Sequence, residues 1–383
     1  MRLRGMICFC TLAATAMFAS AQTYTVLHVF HGPDGADPEA SSVLLDSKGN
    51  VYSTTSWGGA AGYGTFYKID TDQKESVLYS FTNGNDGALP GDLIVGSDGA
   101  FYGGTSMSGT AGGTTFRITP AGRFSTIYRF QGGAHASSPY PYAFLWSENA
   151  LYGAGGVIYR LDKSGETDLF KSGGFVDSAG RLTAADSKGN FYGVGGGGDI
   201  TGSGLIFKFD ASGHYSVLHV FEGPDGSNPV SVTIDGAGNL YGTTSGGGPL
   251  GHGTVFELNT KGQLTTLYSF TGGADGGGPS AGVILDPRGD LFGTTYSGGI
   301  LTGKCANLQG CGVVFALTYI NNTWKEIVLH RFNGDDGAYP EANLTLDLSG
   351  GALYGTTWAG GDYSCSTFVQ SIDGCGVVFR ITP

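Results

Sequence analysis

Two glutamates and three large aromatics are the residues here whose types and placement could do chemistry together. Glu39 and Glu341 each follow a loop proline, Pro38 and Pro340, where other copies of that loop carry Gly91, Tyr140, Val230 and Ser280. Trp57, Tyr296 and Trp358 come just after short aromatic runs that end in Thr-Thr. Paired carboxylates are what glycoside hydrolysis uses, at a separation of about 5–10 Å. Aromatic faces beside acids also suit carbohydrate binding without any reaction. A purely structural use competes with both: the tryptophans would shield contacts between repeats and the glutamates would sit in water. Trp57 is one residue out of register with Trp358, which would turn it to the other side of a strand.

The remaining candidates divide by residue type. Asp34, Asp86, Asp225, Asp275 and Asp336 recur in Asp-Gly loops, most of the form Phe-x-Gly-x-Asp-Gly-x-x-Pro. A ring of such carboxylates could hold Ca²⁺, with Asp34 and Asp336 as metal candidates. Turn chemistry explains the Asp-Gly pairs more simply, and on that account no metal or other cofactor is expected. His28, His219 and His330 share a position that holds Tyr79, Tyr128 and Tyr268 in other copies, an interchange that points to side-chain contacts, not ligation. No His-Glu-x-x-His and no Gly-x-Ser-x-Gly occurs. Cys305, Cys311, Cys365 and Cys375 flank two insertions that contain no histidine and no Cys-x-x-Cys, so disulfides are expected over zinc. Of three possible connectivities, Cys305–Cys311 and Cys365–Cys375 are preferred, each pinning its own loop with about 2–3 kcal/mol.

The elements that must position these residues come from a repeat. Gly238-Asn239-Leu240-Tyr241-Gly242-Thr243-Thr244 has relatives centred on Tyr52, Tyr102, Tyr152, Tyr192, Phe292 and Tyr354, spaced by 40 to 62 residues. A period near fifty decides the architecture before any motif is read. Each unit offers four short strands: an apolar run such as VTIDG (232–236), the NLYGTT run, a run such as GTVFEL (253–258), and one such as TLYSF (266–270). Four antiparallel strands repeated radially make a propeller blade. The chain starts with a lone fourth strand, TVLHVF, and stops after a third, GVVFRI. Pairing the two would complete one blade and leave no open sheet edge. The expected fold is all-β: a seven-bladed β-propeller with blades at about 38–81, 88–130, 138–170, 180–221, 228–270, 279–332, and 340–383 plus 23–30. In the short third blade His135-Ala136 replaces Asp-Gly.

Composition agrees. Seventy glycines disfavour helix, and 12% aromatic residues disfavour disorder. Arg2 and Arg4, an apolar stretch from Met6 to Phe18 and Ala19-Ser20-Ala21 read as a signal peptide over 1–21, leaving 22–383 as one domain in a secreted protein. That stretch is too short for a permanent membrane span, and none is expected later. The protein carries 20 basic and 32 acidic residues, and Arg2 and Arg4 leave with the leader. So acidic a surface argues against nucleic acid, which needs clustered Lys and Arg.

The compound pattern of LYGTT, Gly-Gly, GTVF, LYSF and Asp-Gly-x-x-Pro resembles the Gloeobacter and Verrucomicrobia (GloVer) tandem repeats of secreted bacterial proteins, over nearly all of 22–383. The resemblance implies export and a repeated β architecture, and it supplies no catalytic residues. Many members end in a sorting segment; this chain stops at Pro383 without one, so a released protein is expected.

Two functions follow as expectations. One is an extracellular binding or scaffold module for glycan or protein, using the loop face of blades 6, 7 and 1, with Trp57, Tyr296, Trp358, Glu39 and Glu341 as binding residues. The other is a polysaccharide hydrolase or lyase with Glu39 and Glu341 as its carboxylate pair.

Overall fold

The computed structural model describes residues 22–38, 42–108, 111–130, 144–147, 150–154, 157–162, 165–171, 180–196, 202–365 and 374–382. The expected signal peptide at 1–21, Glu39 and the His135-Ala136 loop lie outside them.

Several hairpins start from an aspartate that turns the chain. Asp46 Oδ1 accepts the amides of Lys48 and Asn50, both at 2.9 Å, and Asp186, Asp235 and Asp286 do the same in their own copies. A side-chain acceptor two and four residues back favours a tight turn over helix. Strands therefore pair with sequence neighbours, and the described chain is all-β apart from two short 3₁₀ turns, Gly303–Leu308 and Tyr363–Cys365. Six blades of four antiparallel strands are continuous in sequence, spanning 44–80, 88–129, 144–171, 181–220, 227–269 and 284–331. A further four-stranded sheet takes Thr345–Leu346, Leu353–Thr357 and Val377–Thr382, and adds Thr23–Val29 beside Val377–Thr382. The arrangement is a β-propeller.

Each small residue of the Tyr-Gly-Thr-Thr run has its own role, two within a blade and one between blades. A Cβ on Gly355 would stand 2.5 Å from the Phe379 ring, and one on Gly242 2.6 Å from the Phe256 ring. Glycine therefore lets the third-strand phenylalanine lie flat across the second strand. The first threonine reaches the next sheet: Thr54 donates to the Gly91 carbonyl, Thr243 to Ala281, and Thr356 to Pro38. The second threonine stays home. Thr55, Thr244 and Thr357 accept the first amide of their own third strand and donate to a carbonyl two residues on. Each of these buried bonds contributes about 1 kcal/mol, and leaving its carbonyl unpaired would cost more.

Fourth strands end in a phenylalanine with no solvent contact: Phe30, Phe81, Phe221, Phe270 and Phe332. Burial of each is worth about 1.5–3 kcal/mol. The residue before each loop proline has positive φ, at Asp37 (64°), Leu89 (55°), Asn228 (54°) and Tyr339 (57°). This left-handed backbone costs a non-glycine residue about 1–2 kcal/mol. In return its amide bonds back to the preceding sheet, Leu89 to the Tyr63 carbonyl, Tyr339 to Cys311, and Asp37 to Cys375. The proline then covers a glycine of that sheet. A Cβ on Gly64 would lie 2.5 Å from Pro90 Cδ, and one on Gly376 2.7 Å from Pro38 Cδ.

Candidate functional site

Tyr296, Trp57 and Trp358 fall on the face made by the loops after the second and fourth strands. Tyr296 and Trp358 occupy one repeat position. Tyr296 donates its amide to Gly278, and Trp358 donates its own to Tyr339, two carbonyls that each precede a loop proline. Tyr339 joins them: its ring stacks on Tyr296 at 4.4 Å and lies 5.8 Å from Trp358. The result is a three-ring aromatic run across the junction of blade 6 and the terminal sheet, with Tyr296 and Trp358 half-buried and Tyr339 buried. Trp57 stands one position further on, bridged to Ala36 as Ala359 is bridged to Ala338. It is half-buried against a different core group that includes Phe30, Tyr67 and Cys375. Glu341 is half-buried and engaged with partners; Glu39 lies outside the described residues.

Two disulfides brace this face, with the pairing expected from spacing: Cys305–Cys311 with Cα atoms 5.2 Å apart, and Cys365–Cys375 at 5.6 Å. All four sulfurs belong to buried residues. The braced loops also grip each other. Lys304 pairs with Asp335 and sits 4.0 Å from the centre of the Tyr363 ring, while His31 Nδ1 lies 2.7 Å from Asp362 Oδ2. The His31 contact, helped by Ser364, holds the Asp362 carboxyl down at about 2. Tyr339, Lys304, Tyr363 and Asp362 escaped the sequence reading. Tyr339 had a visible signal, being the one aromatic found before a loop proline whose equivalents are Asp37, Leu89, Asn228 and Gly278.

The loop aspartates cap their own turns. Asp34 Oδ1 accepts the His31 amide and Asp336 Oδ1 the Asn333 amide, while Thr82 and Thr271 amides bond Asp86 and Asp275. Each carboxylate also meets the fourth-strand His or Tyr, through Oδ2 in every copy. His28, His219 and His330 lie 2.7–3.0 Å from Asp34, Asp225 and Asp336, and the Tyr79 and Tyr268 hydroxyls donate to Asp86 and Asp275. The His/Tyr interchange is thus a choice of polar partner as well as of ring. Burial pushes the Asp34 carboxyl up, but the His28 bond and the His31 amide leave it below its usual range.

One further position faces these pairs across each junction. Four residues before the His or Tyr of the next sheet stand Tyr24, Glu75, Phe124, Leu264 and Glu326, each opposite an Ile or Leu of its third strand. Tyr24 stacks on His330 at 3.6 Å and Phe124 on Tyr79 at 4.4 Å. Glu75 and Glu326 break the pattern. Burial pushes both up to about 7; His28 opposes and Asp34 reinforces the shift at Glu75, while Asp275 reinforces and Arg331 opposes it at Glu326.

A small cavity of about 160 Å³ lies at the other end of the strands, among Leu27, Val51, Ile69, Tyr354 and Arg380. It includes none of the residues proposed from sequence. Among the described residues no helix is long and apolar enough to cross a membrane.

Fold and loop face define a β-propeller repeat protein with a disulfide-braced face. The chain belongs to the Gloeobacter/Verrucomicrobia repeat family, whose model matches residues 15–183 and 177–383. No curated protein matches it. Among solved structures it is similar to the extracellular domain of a putative hybrid two-component system from B. thetaiotaomicron, at 12% identity and a TM-score of 0.58. It is also similar to the extracellular domain of a putative one-component system from the same organism, at 11% identity and a TM-score of 0.56. Each alignment covers 94% of this chain but only 41% and 40% of the other, so the chain spans less than half the length of those domains.

Proposed function

We propose that this chain is an exported binding or scaffold module, a seven-bladed ring whose terminal sheet is the seventh blade, and that it holds a glycan or protein on the loop face of blades 6, 7 and 1. The observation that carries the binding reading is the Tyr296–Tyr339–Trp358 run between two disulfide-braced loops. Flat rings held rigidly, with Tyr296 and Trp358 partly exposed over the buried Tyr339, bind sugar faces or apolar side chains with little loss of side-chain freedom. Closure is supported by Gly376–Pro38, which repeats the Gly64–Pro90 contact, and by Thr356 donating to the Pro38 carbonyl as Thr294 does to Pro340. Export is supported by the leader pattern at 1–21, by the two disulfides, which persist in oxidising compartments, and by neighbours described as extracellular domains. The hydrolase or lyase reading is not favoured by any described geometry, because only one of its carboxylates, Glu341, is described.

A glycan array, run with and without chelator, tests the reading. Trp358→Ala should reduce retention of whatever binds by at least about tenfold, as loss of an aromatic hot spot does, while the far-ultraviolet spectrum stays unchanged. Equal retention by the variant would remove Trp358 from the site.

A further inference from the structure

Three His–Asp pairs stand on fourth strands, and they differ in what the next sheet places against them. His330–Asp336 is covered by the Tyr24 ring. For His219–Asp225 the corresponding residue is Leu264, which packs in the core between those blades. At His28–Asp34 it is Glu75. There a histidine nitrogen, an aspartate oxygen and a glutamate oxygen all lie within 4.8 Å of one another, each side chain partly buried. A second observation is independent of that clustering. Glu75 Oε1 is shut off from solvent and has no hydrogen-bond partner. A buried carboxylate oxygen left unpaired is costly, and a cation at this point would resolve it.

The geometry points to a divalent transition-metal site of the zinc type, with His28 Nε2, Asp34 Oδ2 and a Glu75 carboxylate oxygen as ligands. One imidazole and two carboxylates are borderline donors that suit such an ion, and three protein ligands leave a position for water. Metal–ligand bonds near 2.0–2.2 Å need the three donors about 3–4 Å apart, within reach of the observed cluster by small side-chain rotations. Glu326, although it too has a buried unpaired oxygen, faces Tyr268 and Asp275, and a neutral phenol is a poor ligand there. The ion would tie the terminal sheet, through His28, to the outer strand of blade 1. This site does not depend on any ligand of the aromatic run.

The repeat supplies its own controls. Purified protein freed of metal should bind one equivalent of Zn²⁺ by calorimetry, with a rise in melting temperature that EDTA reverses. Glu75→Gln and His28→Gln, which keep volume and a hydrogen-bonding group, should weaken binding by at least about tenfold. Glu326→Gln should bind as the parent does. Leu264→Glu places a carboxylate opposite His219–Asp225 and should raise the stoichiometry to two. No binding by the parent, binding undiminished in both Glu75→Gln and His28→Gln, or loss in Glu326→Gln would each overturn the assignment. So would a stoichiometry that stays at one in a folded Leu264→Glu.

Discussion

At the scale of single residues, a few polar side chains sit where repetition alone would put apolar ones. Glu326 replaces a ring or leucine, and burial with the nearby Asp275 charge lifts it to about 7. The ordinary glutamate value is 4.5. The folded protein therefore retains a proton that the unfolded chain releases as pH rises from about 4.5 to about 7, so stability falls across that window. Glu326→Gln should match the parent near pH 4.5 and exceed it at pH 8, by about 1 kcal/mol once partial solvent screening is allowed for. Urea midpoints at the two pH values measure this; a parallel shift at both would deny the proton linkage. The sequence showed Glu326 but not its environment, because what it faces lies a whole repeat away, at Tyr268 and Asp275.

At the scale of elements, strands were legible and the reasons for their residues were not. Alternation of glycine-rich turns with LYGTT-like runs places four strands per unit, and those strands form. Nothing in one copy says that the first threonine serves a neighbour and the second its own blade; only Thr54–Gly91 against Thr55–Thr65 separates them. The His/Tyr choice has a signal in the spacing. His28, His219 and His330 precede their aspartates by six residues, whereas Tyr79 and Tyr268 precede theirs by seven. The phenol oxygen stands farther from its backbone than the imidazole Nε2, so the longer loop takes the longer reach. The disulfides were legible because six- and ten-residue separations close local loops without help from the fold. Cys305→Ser with Cys311→Ser should cost about 2–3 kcal/mol of stability, read as a lower denaturant midpoint. Because the Cys311 carbonyl holds the Tyr339 amide, the same variant should also bind ligand more weakly. Unchanged binding would place the aromatic run outside the influence of that loop.

At the scale of the whole molecule, contacts between blades matter as much as those within them. Threonine hydroxyls, loop prolines and pre-proline amides all cross from one sheet to the next, so removing a blade strips partners from two others. The aromatic run spans such a junction, and so do His28, Asp34 and Glu75. Both proposed sites lie where two copies differ at a shared edge, so one copy taken alone does not show them.

The pairing of Thr23 with Thr382 has a further consequence. Those two residues are cross-strand neighbours, so the order in which the blades are synthesised is separable from the shape they make. A circular permutant can be built by joining 23 to 382 through a short glycine linker and opening the chain in the loop after Ser269. It should fold with the parent's spectrum and a melting temperature within about 10 °C, since no strand changes partner. Its new ends would cut the link between blades 5 and 6 and turn the present terminal sheet into an uninterrupted stretch of chain. Failure of that permutant to fold, with a second one opened in the loop after Ser80 failing likewise, would mean that the outer strand Thr23–Val29 must be added last.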